Sequence, residues 1–426
     1  MTQTRQSGSG IKFSDKFLWG ASVSTHQVEG GNHNQWTVWE LETAKNRAAE
    51  AEYNYCHLDC WEDIKEQVKL PSNYVSGSAC DHYNRYKNDF EIVKKLNFSA
   101  LRSGIEWSRI EPKEGEFDKE ALAHYQDYFR QFKKTGVTPI VTLWHWTFPE
   151  WFAGKGGFLK RSNIKYFVRY VKFLMDNLGL DIKYFITINE PTTYAAMSYH
   201  ERRWPPQKGS IVHTIRTMHN LASAHNRVYK IIKKKYPRSK IGLAHSVSYF
   251  YAGDSSLISR LSAWTTHRFA NEYFINLVKR RQDYFGLNYY FANRFIGTRV
   301  HNPEGAKNDL GWSMQPDMLR PFLSVIFKKY KLPILITESG VADKKDINRK
   351  WWIAESIKAI DGAQKDGVEM LGYIHWSLLD NFEWAEGFWP RFGLVEVDYK
   401  TQKRTVRASA KWYAQVIHKL REQQDE

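Results

Sequence analysis

The chain has 426 residues, 42% hydrophobic and 15% aromatic, with 17 Trp. That apolar content excludes a chain disordered over most of its length, and the length admits one large α/β unit or two to three average domains. The formal net charge is +16, but the basic residues are spread thinly. Their short runs, such as Lys233-Lys234-Lys235, fall at predicted helix ends with no nucleic-acid motif, so no nucleic-acid partner is expected.

The chain opens with a polar, Gly- and Ser-containing stretch, and residues 1–12 are predicted to be a flexible tail. No run approaches the ~18 apolar residues of a membrane span, so no membrane partner is expected and the chain reads as cytoplasmic. The 3 Cys are few and odd in number, which suits a reducing compartment. Cys56, Cys60, Cys80 and His82 offer four soft ligands in a short segment. Their spacing is looser than that of a zinc ribbon, so ordinary thiols are favoured there over a metal.

From Phe17 onward a β-like apolar run followed by a helical pattern recurs eight times. The predicted strands end near Gly20, Arg102, His145, Asn189, His245, Asn288, Glu338 and Trp376. Helical stretches with charged outer faces lie between them, among them Tyr86 to Leu96, Lys119 to Lys134, Asn163 to Asn177 and His213 to Lys235. Strand then helix, repeated, implies a parallel sheet. Eight units without a Gly-rich phosphate turn favour a single closed (β/α)8 barrel, a TIM barrel of the α/β class, over 13–420, with a short tail at 421–426.

Barrel strands are buried on both faces, so a polar residue at a strand end is costly unless it is paired or used. Arg102, His145, Asn189, Glu190, Asn288 and Glu338 all stand at such ends. In a barrel those ends converge on one mouth, where active sites form.

The motifs there are specific as an ordered set. FLWGASVSTHQVEG at 17–30, WSRIEP at 107–112, LWHW at 143–146, TINEP at 187–191, GLNYY at 286–290, LITESG at 335–340 and HWSLLDNFEWAEGFWPRFGLVEVDY at 375–399 resemble the signatures of glycoside hydrolase family 1, in that family's order. The resemblance implies a retaining β-glycosidase acting on β-linked glucosides, galactosides or related small β-glycosides and oligosaccharides by double displacement. Such chemistry needs one carboxylate to form a glycosyl-enzyme and a second group to protonate the leaving oxygen and then activate water. Carried over residue by residue, Glu338 is the nucleophile and Glu190 the acid/base, with Arg102, Asn288 and Tyr290 in support. Gln27, His145, Asn189, Trp376, Glu383 and Trp384 match the sugar-binding set. No metal or cofactor is implied, and the oligomeric state has no signature in these motifs.

Three departures qualify the resemblance. Thr147 stands where an Asp is frequent, and Ser339 where an Asn is usual. Between Ala244 and Tyr284 the chain is short, with one predicted helix from Leu257 to Arg281, and the connection after Tyr290 is short as well. One side of the barrel is therefore expected to be thinly covered, with a wider entrance and room for a bulky planar ligand. The alternative reading is a catalytically impaired sugar-binding barrel with trimmed loops, and the presence of both glutamates argues against it.

Overall fold

The computed structural model describes residues 11–179 and 182–425. Its strands include β1 (Leu18–Ser22), β2 (Ala100–Gly104), β3 (Thr138–Thr142), β4 (Tyr184–Asn189), β5 (Lys240–Ser246), β6 (Tyr249–Ala252), β7 (Phe285–Tyr289), β8 (Ala292–Ile296), β9 (Arg299–Val300), β10 (Ile334–Ser339) and β11 (Met370–Trp376). Eight of them close in the order β1-β11-β10-β7-β5-β4-β3-β2, every neighbouring pair parallel. The fold is thus the expected (β/α)8 barrel. All eight barrel strands coincide with the predicted runs.

Helices cover the outside: α1 (His82–Lys95), α2 (Lys119–Thr135), α3 (Ile164–Asn177), α4 (Ile211–Lys235), α5 (Leu257–His267), α6 (Tyr273–Val278), α7 (Leu319–Tyr330), α8 (Arg349–Lys365) and α9 (Ala408–Asp425). Local chemistry sets their ends. The Asp118 carboxylate accepts the free backbone N–H groups of Glu120 and Ala121 at the start of α2, and Gly136 takes φ +71 at its close.

Two expectations need correction. The helix predicted from Leu257 to Arg281 is two helices, α5 and α6, joined by a wider π-type turn at Arg268–Glu272. That turn carries the buried Glu272 carboxylate, which meets Arg268 at 2.7 Å, His267 at 3.3 Å, and Lys329. Next, the segments after β5 and β7 are not bare connections: β6, β8 and β9 form a separate three-stranded sheet beside the mouth. Its half-buried Tyr and Phe side chains do not show the clean alternation by which a strand is recognised. The helix α9 continues to Asp425, into the expected short terminal tail. Residues 1–10 of the expected leading tail lie outside the described residues.

The barrel interior divides by height. Leu18, Ala100, Ile140, Ile186, Ala244, Leu335 and Ile374 join Tyr184 and Tyr284 in one buried apolar cluster drawn from all around the barrel. Strand side chains repeat with period two, so the next inward position on several strands stands one layer nearer the mouth. Those positions are Arg102 above Ala100, Thr142 above Ile140 and Trp376 above Ile374. Apolar packing closes the lower barrel and leaves the polar layer facing the opening.

Candidate active site

Simple alternation from Ile186 and Leu335 would turn Asn189 and Glu338 outward. Register shifts between Ile186 and Asn189 on β4, and between Ile336 and Glu338 on β10, reverse this. Such irregularities re-aim side chains. Thr337 and Glu338, consecutive in sequence, consequently both meet groups of the mouth.

Glu338 is gripped from two sides. One carboxylate oxygen pairs with the Arg102 guanidinium, and the other accepts the Tyr290 hydroxyl at 2.6 Å. Arg102 is buried and uses its remaining donors on Thr142 Oγ1 at 3.1 Å, the Thr337 carbonyl at 3.1 Å and Asn189 Oδ1 at 2.7 Å, which fixes its rotamer. Burial and the neighbouring Glu338 charge push the Tyr290 phenol well above its ordinary value, so it remains a donor.

Glu190 follows β4 directly, at φ +41, as the residue that caps the helix Pro191–Tyr199. A non-glycine residue in this region is uncommon and marks a local constraint. Its Oε1 accepts Asn288 Nδ2 at 2.7 Å, and Asn288 is itself oriented by the Thr337 hydroxyl at 2.7 Å. Burial, then the charge of Glu338, raises the Glu190 carboxyl to about 7. Two chemically identical side chains thus sit in opposite settings: one is held by a cation and a phenol, the other is desolvated and faced by a like charge.

Both glutamates open into one cleft of about 510 Å³. His145, Trp376, Glu383 and Trp384 line it as well. Burial, followed by the charge of Arg102, lowers His145 well below the ordinary imidazole range. The neutral ring accepts Asn189 Nδ2 at 2.9 Å through Nε2. Trp384 stacks on His145 at 5.7 Å and on His26 at 5.4 Å between ring centres. Burial and the Glu338 charge raise Glu383 to about 8.

Gln27 is fully buried. Its amide nitrogen donates to Asn381 Oδ1 and the Phe382 carbonyl, both at 2.9 Å, and to Glu383 at 3.4 Å. Its carbonyl oxygen has no partner among the described residues, an acceptor left over for a ligand hydroxyl.

The structure therefore brings Arg102, Asn189, Glu190, Asn288, Tyr290 and Glu338 into one bonded network, with Gln27, His145, Trp376, Glu383 and Trp384 around it. Sequence reasoning missed the groups that orient these residues: Thr142 and Thr337, Asn381 beneath Gln27, and Trp146, whose indole N–H donates to the Asn189 carbonyl at 2.9 Å. Thr337, Trp146 and Asn381 stand inside quoted motifs. Tyr55, Trp204 and Trp312 at the outer cleft lie in no motif, and only tertiary proximity reveals them.

Both motif departures have local accounts. Thr147 donates to the buried Glu106 carboxylate at 2.8 Å, where an Asp would bring a second negative charge. Ser339 accepts the Trp352 indole N–H at 3.1 Å. The Cys and His candidates do not converge. Cys60 donates to the Asp309 carbonyl and Cys80 to the Asp380 carbonyl, His82 bonds Asp89 and Tyr128, and Cys56 is exposed. No metal-holding group of His, Cys, Asp or Glu occurs among the described residues.

Comparison with known proteins gives the family. The Glycosyl hydrolase family 1 profile matches residues 9–290 and 275–422. Beta-glucosidase A of Thermotoga maritima is 31% identical, and a 1,4-beta-D-glucan glucohydrolase of Thermotoga neapolitana 30% identical, each across 95% of this chain and 98% of its own length. The solved structure of a beta-glucosidase from Thermotoga maritima in complex with glucoimidazole superposes with a TM-score of 0.85 at 28% identity, covering 96% of this chain and 99% of that one. With the barrel, the paired glutamates and a profile match through both halves of the chain, this protein belongs to glycosyl hydrolase family 1 and is a glycoside hydrolase.

Proposed function

We propose that the chain hydrolyses small β-glycosides, β-glucosides first among them, with retention of anomeric configuration. Glu338 attacks the anomeric carbon as Glu190 protonates the departing oxygen. Water, deprotonated by Glu190, then releases the sugar from the glycosyl-enzyme. The observation that carries this reading is the contrast between the two carboxyls of one cleft. Arg102 and Tyr290 bond the two oxygens of the Glu338 carboxyl, while Glu190, raised to about 7, holds a proton near neutrality.

The timing follows from electrostatics. Glycosylation neutralises Glu338, which removes a charge that raises Glu190, so the acid of the first step stays deprotonated after giving up its proton and can accept one from water in the second. Asn189, between Arg102 and His145, and Gln27, with its spare acceptor, supply polar contacts for sugar hydroxyls, and Trp376 offers an aromatic face to the ring. Relatives named as beta-glucosidases support glucose as the glycone. This chemistry requires no cofactor, and an absorption spectrum with only aromatic bands would set aside a planar ligand in the barrel.

A panel of aryl β-glycosides tests the assignment. Glu338→Ala is expected to lower turnover about 10⁴-fold or more. Glu190→Ala should spare activated leaving groups, slow poor ones, and regain rate with azide. Activity close to wild type in either variant would overturn the roles, and an inert wild-type protein would favour the impaired sugar-binding barrel.

A further inference from the structure

The helix α5 is inverted with respect to an ordinary surface helix. Its buried face carries the small residues Ser259 and Ala263, packed on β6 and β8, with Ser259 Oγ accepting the Gly297 N–H at 2.8 Å. Its outer face presents Leu257 (79% exposed), Ile258, Leu261 and Trp264 (59%), and Phe269 (77%) extends it into the following turn. Ile296 and Val300 of the neighbouring hairpin, and Ile211, Val212 and Ile215 in the first turns of α4, are exposed too. An apolar cluster of this kind marks an interaction surface.

A basic groove lies beyond the turn that joins α5 to α6. Between α4 and α6 runs a hollow of about 400 Å³ lined by Arg161, His219, Arg227, Lys230 and Arg281. None of the four Lys and Arg side chains makes an ion pair among the described residues, and neither do Arg260 on α5 and Arg299 on β9. The nearby acids are occupied: Asp283 pairs with Lys233, and Glu272 with Arg268, His267 and Lys329. The His219 ring bonds the Tyr273 hydroxyl at 2.9 Å, tying α4 to the helix that follows the apolar turn.

We propose that this face rests on an anionic lipid bilayer, with the α5 side chains entering the headgroup boundary and the groove cations held against lipid phosphates. Apolar side chains flanked by uncompensated cations are the combination such a surface rewards. A second copy of the chain would set like charges against each other, and RNA would leave the apolar cluster unused. The contact is peripheral, as no helix among the described residues is long and apolar enough to cross a membrane. The face borders the cleft, because Ser246 and Phe291, both cleft-lining, lead into β6 and β8.

Flotation of the full chain with vesicles of phosphatidylcholine, alone or with phosphatidylglycerol, tests the proposal. Binding is expected only when phosphatidylglycerol is present, and it should weaken as salt rises. The double variant Trp264→Ser, Phe269→Ser should bind about tenfold less. Arg227→Gln with Lys230→Gln should lose about fivefold per charge. Both variants lie outside the cleft and should hydrolyse a soluble aryl β-glycoside as the wild type does. No flotation, flotation that these variants leave unaltered, a dimer in sedimentation that the apolar variant disperses, or tighter binding to RNA than to vesicles would each overturn it.

Discussion

Glu190 and Glu383 carry their protons to about 7 and about 8, for the same first reason, burial, and the same second, the negative charge of Glu338. Two consequences follow at this scale. With Glu190 acting as the acid, kcat/KM should fall as pH rises through about 7, and the Glu190→Gln variant should lack that limb. Stability carries a mark of the same groups. Between about 4.5 and 7 the folded chain keeps a proton on Glu190 that the unfolded chain has released, so stability declines as pH rises across that window. Replacing Glu190 by neutral Gln removes a penalty of roughly 1–3 kcal/mol at pH 8 and little at pH 5. Calorimetric scans at the two pH values should show a higher Tm for the variant only at the alkaline one, and equal Tm values at both would contradict the burial argument.

Strands rather than single residues determine how closely the catalytic groups are held. A Cβ added to Gly340 would stand 1.8 Å from the Trp376 carbonyl oxygen, a backbone atom of the adjacent strand that cannot swing aside. Gly340→Ala must therefore part β10 from β11, two residues beyond Glu338. We expect a loss of ~1–3 kcal/mol of stability, the usual range for overpacking, together with a large fall in kcat. Gly136→Ala is the comparison. That position closes α2 at φ +71 with open space around the missing Cβ, so the change should cost ~1 kcal/mol and leave kcat alone. If both variants lost only stability, the link between strand spacing and catalysis would fail.

For the molecule as a whole, no cluster of three or more His, Cys, Asp or Glu side chains that could hold a metal occurs among the described residues. The main apolar cluster runs from Phe13 to Leu420, and Cys60, Cys80 and His82 each bond a separate partner while Cys56 is exposed. Prolonged dialysis against a chelator should leave both Tm and turnover unchanged, and a drop in either that zinc restores would show a site the geometry does not reveal. Charge is distributed unevenly at this scale as well. The +16 total looked like a thinly spread solvated surface in the linear chain, yet Arg161, Arg227, Lys230 and Arg281 share one groove although they span 120 positions of the sequence.

What the chain determined by itself is what short-range pattern encodes. Buried strands announce themselves as apolar runs, and a polar residue at the end of such a run announces a use, which is why the eight barrel strands and the positions from Arg102 to Glu338 were legible before any coordinates. Tertiary structure decided the rest. The register shifts that turn Asn189 and Glu338 inward depend on the neighbouring strands, and the fixing of Arg102 by Thr142 and Thr337 depends on contacts 40 and 235 positions away. The outward side of α5 could not be read either, because its Leu, Ile and Trp would signal a buried face in any sequence. Only packing of Ser259 and Ala263 against the small sheet shows that this helix lies the other way round. Periodicity tells which residues share a face, whereas the partner that covers the face, or leaves it bare, is supplied by the fold.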